Sequence, residues 1–495
     1  MVTVLSEASL GGLPDGVGRP GYDRSGLAAG IVHFGVGNFH RAHLAVYLDR
    51  LMNEGLAHDF AIVGVGTRPA DRAVYDALRG QDWLTTVVEQ TAESSTARVT
   101  GPMIDMIPPG ETAAVLARLA EPAIRIVTMT VTEGGYFVDP ATGRFDPSHP
   151  EIAADAASPG EPRTVFGMIL AGLERRRAAG LPAYTVASCD NLPHNGDVTR
   201  AAVAGLAALR DQGLADWVRA EVAFPNGMVD RITPATGARE RDLLESGFGL
   251  RDAWPVFCED YVQWVLEDRF PQGRPPFERA GVQFADDVAP FELMKLRILN
   301  GGHATIAYPS ALLGIHFVHE AMADPLVRAF LRKLETEEII PVVPPVPGTD
   351  LHAYFDLIER RFANPKIGDT IPRLCVDGSN RQPKFILPST RDRLARGLPV
   401  PGLALESALW CRYCALTTDA GDEIAPNDEG WERLRAAALA ARGGQPGAFL
   451  ALTDIFGELG QAPAFSAAFG SALEALWRDG TRRTLERYLA GELRA

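Results

Sequence analysis

Cysteine is scarce in this sequence, and so are the features that would tie it to a membrane or a nucleic acid. Five cysteines among 495 residues form an odd, sparse set that implies no disulfide framework. No apolar run is long enough to span a bilayer. The opening Met1-Val-Thr-Val-Leu-Ser-Glu-Ala lacks the basic start and long apolar stretch of a secretory signal. A formal charge of −15 argues against nucleic acid or an anionic lipid surface as a partner. Internal repeats and low-complexity tracts are missing. Metal-ligand clusters are missing too: Cys411-Arg-Tyr-Cys414 has no second pair nearby, so it reads as two core thiols, and His40/His43 and His316/His319 lack a third ligand. No metal site is expected. The composition, 46% hydrophobic and 22% charged, is that of a soluble globular protein, expected in the cytoplasm. The length implies two domains.

In the first half, strand and helix patterns alternate. After an irregular arm over residues 1–28, the run Gly30-Ile-Val-His-Phe-Gly35-Val-Gly37-Asn38-Phe39-His40-Arg41 reads as a buried strand turning sharply into a helix over 40–53. A second strand follows at 60–66. Gly35 and Gly37 would let backbone approach a pyrophosphate at that helix N-terminus. His40 replaces the third glycine of the usual fingerprint, and a tight structural turn explains a lone G-x-G equally well. Next come a helix over 70–79, extended runs over 83–88 and 97–100, and a strand over 124–131 that ends in Thr132-Glu133-Gly-Gly. Residues 139–162 read as a long surface loop and 165–178 as a helix. A strand over 184–188 then runs into Cys189-Asp-Asn191-Leu-Pro-His-Asn195-Gly, with a helix from Gly196 through Leu209. This alternation predicts the α/β class, with a Rossmann-type, doubly wound domain over 1–285. From Pro290 onward helical periodicity dominates, predicting a mostly α-helical domain over 286–495. A stiff connector over 341–348 and a polar, turn-rich segment over 371–384 interrupt it.

The densest chemistry lies in Glu292-Leu-Met-Lys295-Leu-Arg-Ile-Leu-Asn300-Gly-Gly-His303. At about 100° per residue, with Lys295 at zero, Asn300 falls near 140°, His303 near 80° and Glu292 near 60°. The four share one arc of a helix, spread over about 12 Å from Lys295 to His303. A lysine, an amide and an imidazole offer a base, an oxyanion donor and an orienting group. The competing reading is a buried helix with a salt bridge and one satisfied histidine.

Five separated motifs resemble the polyol-specific long-chain dehydrogenases. They are Gly35-Val-Gly37-Asn38-Phe39-His-Arg, Thr132-Glu133-Gly-Gly, Ser188-Cys-Asp-Asn191-Leu-Pro-His-Asn195-Gly, Phe224-Pro-Asn-Gly-Met-Val-Asp230-Arg-Ile-Thr-Pro, and the Lys295, Asn300, His303 pattern. The resemblance implies a Rossmann-type domain, a helical domain, and a site drawing on both. It implies a nicotinamide cofactor, usually NAD, and no zinc. It casts Lys295 as general base, Asn191 and Asn300 as holders of the reacting oxygen, His303 as a substrate-positioning group, and Glu292 as gate of a proton path. Asp230, Arg373 and Lys384 match substrate-lining positions, and Gly35, Gly37, Asn38, Phe39, Thr132 and Glu133 match cofactor contacts. The implied reaction interconverts a sugar alcohol and its 2-ketose, D-mannitol and D-fructose being the first pair to test. D-arabinitol oxidation and reduction of a keto-uronate such as fructuronate stand as alternatives. A dinucleotide-binding protein without catalysis would have lost the base or the amides. The partners implied are a small polyol or ketose, with a monomer compatible with the family.

Cofactor choice is where the chain departs from the usual pattern. The second strand ends Val63-Gly-Val-Gly66-Thr67-Arg68-Pro69-Ala70-Asp71, with no acid at its tip to bind the ribose hydroxyls and repel a 2′-phosphate. If Asp71 reaches the ribose, NAD is favoured; if Arg68 lies over it, NADP is accepted; Arg68 facing solvent decides neither. NAD with measurable NADP use is the expectation.

Overall fold

A computed structural model describes residues 2–139, 142–442 and 445–493. The chain divides into two compact units that meet between Ala289 and Pro290.

In the first unit, a five-stranded sheet has every neighbouring pair parallel, in the spatial order Thr185–Ser188, Ile126–Met129, Ala29–Phe34, Ala61–Val65, Met103–Ile107. Alternate residues serve opposite faces: Val32, Val63 and Val127 pack in one apolar cluster, Ile31, Ile62 and Ile126 in the other. Both faces are therefore covered, which is why these strands read as unbroken apolar runs. The chain passes outward from Ala29–Phe34 through its second and third strands on one side, then returns to place its fourth and fifth on the other. The reversal puts a crevice at the C-terminal ends of Ala29–Phe34 and Ile126–Met129, where open α/β sheets hold ligands. The Rossmann-type class expected from the alternation is what the sheet has.

Several local expectations change. The helix expected over 40–53 is two, Asn38–Ala42 and Leu44–Asn53, because His43 leaves helical geometry at φ −118, ψ −89. The arm is not wholly irregular: Thr3–Val4 and Val17–Gly18 pair with Leu250–Arg251 and Ser95–Thr100, and buried Arg24 donates to the carbonyls of Gly101, Asp82 and Met103. The stretch read as a loop over 139–162 contains the helix Pro150–Ala157, started by a proline in its first turn and anchored by fully buried Ile152; residues 140 and 141 lie outside the described set. The edge strand Met103–Ile107 and the helix Thr112–Leu119 went unread, the strand because two of its five residues sit half-buried and break the apolar run.

The second unit is helical throughout its core. The longest helical run, Pro463–Leu489, broken at Gly480 (φ 76), packs on Pro401–Tyr413. The turn-rich segment over 371–384 is itself two short helices, Ile371–Leu374 and Gly378–Phe385. The helix through Lys295 is not a plain α-helix. An α-helix over Ala289–Met294 gives way to a π-helix over Lys295–Asn300 before α geometry resumes over Gly301–Leu312. There the Gly301 N–H reaches back to the Leu296 carbonyl. Such insertions are rare and collect at functional sites. The uniform angular reckoning therefore fails across 295–300: the wider turn swings Asn300 toward the face of Lys295.

Candidate active site

The glycine turn is built from both flanking strands. Gly35 takes φ +88 and donates its N–H to Val65 O at 3.0 Å. A Cβ there would run into the Thr130 carbonyl oxygen, so this glycine serves the closeness of two strand ends. Gly37 is different. It is exposed, and no atom lies nearer than 4.0 Å to where its Cβ would be. It leaves room for a phosphate-bearing group to meet bare backbone at the sheet crevice, so these residues fit a dinucleotide. The Asn38 side chain is committed elsewhere, donating to Pro234 O (3.0 Å) and Thr236 Oγ1 (3.1 Å) and accepting from Arg41 (2.7 Å). Only its backbone is left for a ligand. Phe39 stacks on His43, centroids 4.7 Å apart. His40, at the third-glycine position, is buried and stacks on His33 with centroids 3.5 Å apart and planes within 14°. The ring pair takes the helix–strand contact that the third glycine ordinarily closes.

The next two strand ends are tied together by a residue the sequence reading passed over. Buried Asp190 accepts the N–H groups of Val131 (2.9 Å) and Thr132 (3.0 Å) and the Tyr136 hydroxyl (2.7 Å). Burial still holds its carboxyl above the usual range. The clamp fixes Thr132 at φ 65 and sets exposed Thr132 and Glu133 beside Asn191, itself exposed at the end of the adjacent strand. Asp230 is buried as the last residue of the strand Gly227–Asp230. Its neighbour Arg231 is a staple, donating to Ala42 O (2.6 Å), Glu259 O and the Glu89 carboxylate. At the second strand's tip, Asp71 turns back on its own loop: Oδ2 accepts from the N–H groups of Thr67 and Arg68, both at 2.9 Å. Arg68 is 75% exposed and reaches Asp71 Oδ1 at 3.3 Å.

The remaining candidates belong to the second unit. Glu292 and Lys295 are buried, at 7% and 6% exposure, on a helix whose Phe291, Met294 and Ile298 are fully enclosed. Asn300 is half-buried and closes the π turn. Arg297 is used structurally, donating to Asp392 (2.6 Å) and Val342 O (3.1 Å). The His303 ring stacks on Phe362 at 4.1 Å, and its enclosed Nε2 has no hydrogen-bond partner among the described residues. Burial, aided by the positive charge of Arg373, lowers His303 to about 3, so the ring is neutral at ordinary pH. Arg373 is neutralised by Asp369 and more than half exposed. Lys384 is exposed on the helix Gly378–Phe385. Among the described residues no group of three or more His, Cys, Asp or Glu is placed to hold a metal ion, and no helix is long and apolar enough to cross a membrane.

Two family models match in succession: the mannitol dehydrogenase Rossmann domain over residues 29–279 and the mannitol dehydrogenase C-terminal domain over 287–477. The chain belongs to the mannitol dehydrogenase family. Among curated members, the mannitol 2-dehydrogenase of Cereibacter sphaeroides is 58% identical over 475 residues, covering 96% of this chain and 99% of that one. The enzyme of the same name from Aspergillus clavatus is 42% identical, covering 95% of each. A solved ternary complex of Pseudomonas fluorescens mannitol 2-dehydrogenase with NAD and D-mannitol is similar at 43% identity and a TM-score of 0.87, covering 99% of this chain and 100% of that one. A D-sorbitol dehydrogenase in substrate-free form is similar at 36% identity and a TM-score of 0.90, covering 98% and 100%.

In this member of the family, the buried imidazoles carry an acid cost. Burial lowers His33 to about 3 and His40 well below its usual value, with Arg41 and His43 adding positive charge around His40. The unfolded chain takes up a proton on each ring near pH 6.5, whereas folded His33 does not until about pH 3 and folded His40 only well below its usual value. Stability from the neutral rings is therefore complete above about pH 6.5 and drains away as pH falls through that window. His33 alone contributes a slope of about 1.4 kcal/mol per pH unit. Urea midpoints should hold between about pH 7.5 and about pH 6.5 and drop steadily from there to about pH 5; a midpoint flat over the whole range would contradict the buried, neutral assignment.

Proposed function

We propose that the chain is an NAD-dependent polyol dehydrogenase that interconverts D-mannitol and D-fructose, with Lys295 as general base and no metal. The observation that carries this reading is the buried lysine at a π insertion, followed within the same helix by Asn300 and His303, in a chain 43% identical to an enzyme solved with NAD and D-mannitol. When bound, the nicotinamide supplies the acceptor for hydride. The protein's own task is to take the hydroxyl proton and to hold the oxygen as charge develops. Lys295 takes the proton as the neutral amine, a form favoured by its apolar surroundings. Asn191 and Asn300 donate amide N–H groups to the oxygen, an interaction worth about 2 to 4 kcal/mol each in such settings. His303, neutral and braced by Phe362, orients the adjacent hydroxyl, and Asp230 and Lys384 bind the rest of the chain of hydroxyls. Glu292 passes the proton away from Lys295. Gly37, Thr132 and Glu133 would hold the dinucleotide. Arg373, already neutralised by Asp369, argues for an uncharged polyol over a keto-uronate.

The experiment is a panel of D-mannitol, D-arabinitol and D-sorbitol with NAD⁺ and NADP⁺, and of D-fructose and fructuronate with the reduced cofactors, followed by nicotinamide absorbance. D-mannitol and D-fructose should have the highest kcat/KM; a better keto-uronate would overturn the substrate assignment. NAD⁺ should be preferred, because the Asp71 carboxylate sits at the strand tip and partly neutralises Arg68. Asp71→Asn frees Arg68 and should lower the NAD⁺ to NADP⁺ preference by about tenfold, or about 1.4 kcal/mol. An unchanged ratio would remove Asp71 from cofactor selection.

A further inference from the structure

The helix Gly378–Phe385 carries Lys384, yet its composition is poor for a helix. Gly378, Ser379, Asn380 and Pro383 occupy half of its eight positions, and the proline removes an intrahelical hydrogen bond. Its shape has to be imposed by its neighbours. Ser379 is held at the first turn by Asp428 (2.8 and 2.9 Å), and Arg381 donates to Leu374 O at 2.7 Å. One anchor reaches the interior. Gln382 Nε2 donates to Glu406 Oε1 at 2.6 Å, and both residues are fully buried. Glu406 stands in the middle of the helix Pro401–Tyr413. Its Oε2 and the Gln382 Oε1 have no partner among the described residues.

We propose that the buried Gln382–Glu406 hydrogen bond is a positioning contact that sets where Lys384 stands, and that the helix Gly378–Phe385 keeps its closed packing over this site only while Glu406 is the neutral acid. This rests on the reading of Lys384 as a contact for the polyol. Among the described residues Gln382 is the side chain that eases ionisation of Glu406, and Tyr308, an uncharged phenol from the helix Gly301–Leu312, faces both Glu406 and Arg381. Among the described residues Glu406 forms no ion pair, and its Oε2 accepts no hydrogen bond. Burial pushes Glu406 up to about 8, with the Gln382 bond acting in the opposite sense. Above that pH the site would enclose a full negative charge served by a single donor, an arrangement that is expensive in an apolar interior. The weakest structure beside it is the helix Gly378–Phe385, so that helix gives way and Lys384 moves with it.

The test compares wild type, Glu406→Gln, Gln382→Leu and Lys384→Ala between about pH 7 and pH 9.5. In wild type the polyol KM should rise about tenfold over that range with little change in kcat, and in Glu406→Gln it should stay flat. Gln382→Leu, which lacks the donor, should show the raised KM already at pH 7. Hydrogen-exchange protection of residues 378–385, corrected for intrinsic rates, should fall at the higher pH in wild type and hold in Glu406→Gln. Protection that is independent of pH in wild type, or that falls equally in Glu406→Gln, overturns the proposal. If protection behaves as described while Lys384→Ala leaves KM unchanged, the positioning contact stands and the assignment of Lys384 to the polyol falls.

Discussion

Lys295→Ala should abolish D-mannitol oxidation at neutral pH, by about 10²- to 10⁴-fold in kcat, while NADH binds with nearly unchanged affinity. Lys295 is buried on a helix whose Phe291, Met294 and Ile298 are fully enclosed, and its removal takes away the amine assigned to receive the proton. Removing the side chain also opens a space of the amine's own shape. Added methylamine or ethylamine should therefore restore part of the rate, more so at a pH where the free amine is abundant. Single-turnover rates and NADH titration, measured on the same preparation, separate loss of the base from loss of fold. A variant that keeps more than about a tenth of wild-type turnover would show that another group takes the proton.

The second large effect concerns the two asparagines. Asn191→Ala and Asn300→Ala should each reduce kcat by about 10²-fold or more, with smaller changes in cofactor affinity. The two are held in different ways: Asn191 follows the Asp190 clamp at a strand end, and Asn300 closes a π turn. If both donate to one oxygen, the second deletion has less left to remove, and the double variant should lose less than the product of the two. Fully multiplicative losses would assign them separate tasks. Asp190→Asn supplies a useful contrast, since it disturbs the clamp while leaving both amides in the chain.

The parallel sheet was legible because its strands, covered on both faces, leave uninterrupted apolar runs between helical periods. The helical second unit was legible for the same reason of periodicity. The π insertion was not, because nothing in Lys295-Leu-Arg-Ile-Leu-Asn300 departs from an ordinary apolar helix pattern; the extra residue is stabilised by packing that only the folded unit supplies. Asp190 left a usable signal, a lone acid between a strand and a proline-bearing turn. Phe362, which braces His303, left none, since 59 positions separate them and no local pattern reports the contact. A further signal lies in composition. The chain has 48 basic residues but only four lysines, at 295, 333, 366 and 384. Arginine, permanently charged, fills almost every surface pairing, and lysine is kept at the position proposed to work as a neutral base, a task arginine cannot perform.

The π turn also constrains how this helix can vary in length. An extra residue accommodated in one turn acts as a phase shift: everything before Lys295 and everything after Asn300 keeps its own α-helical phase, offset by one position. Deleting any single residue between them would let the segment relax to an unbroken α-helix with its ends still packed. Lys295 and the Asn300–His303 pair would then keep nearly the same mutual facing, whereas straightening the turn with all its residues retained would rotate them about 100° out of phase with each other. A one-residue deletion within the turn is the length change this helix can absorb without turning its two ends apart.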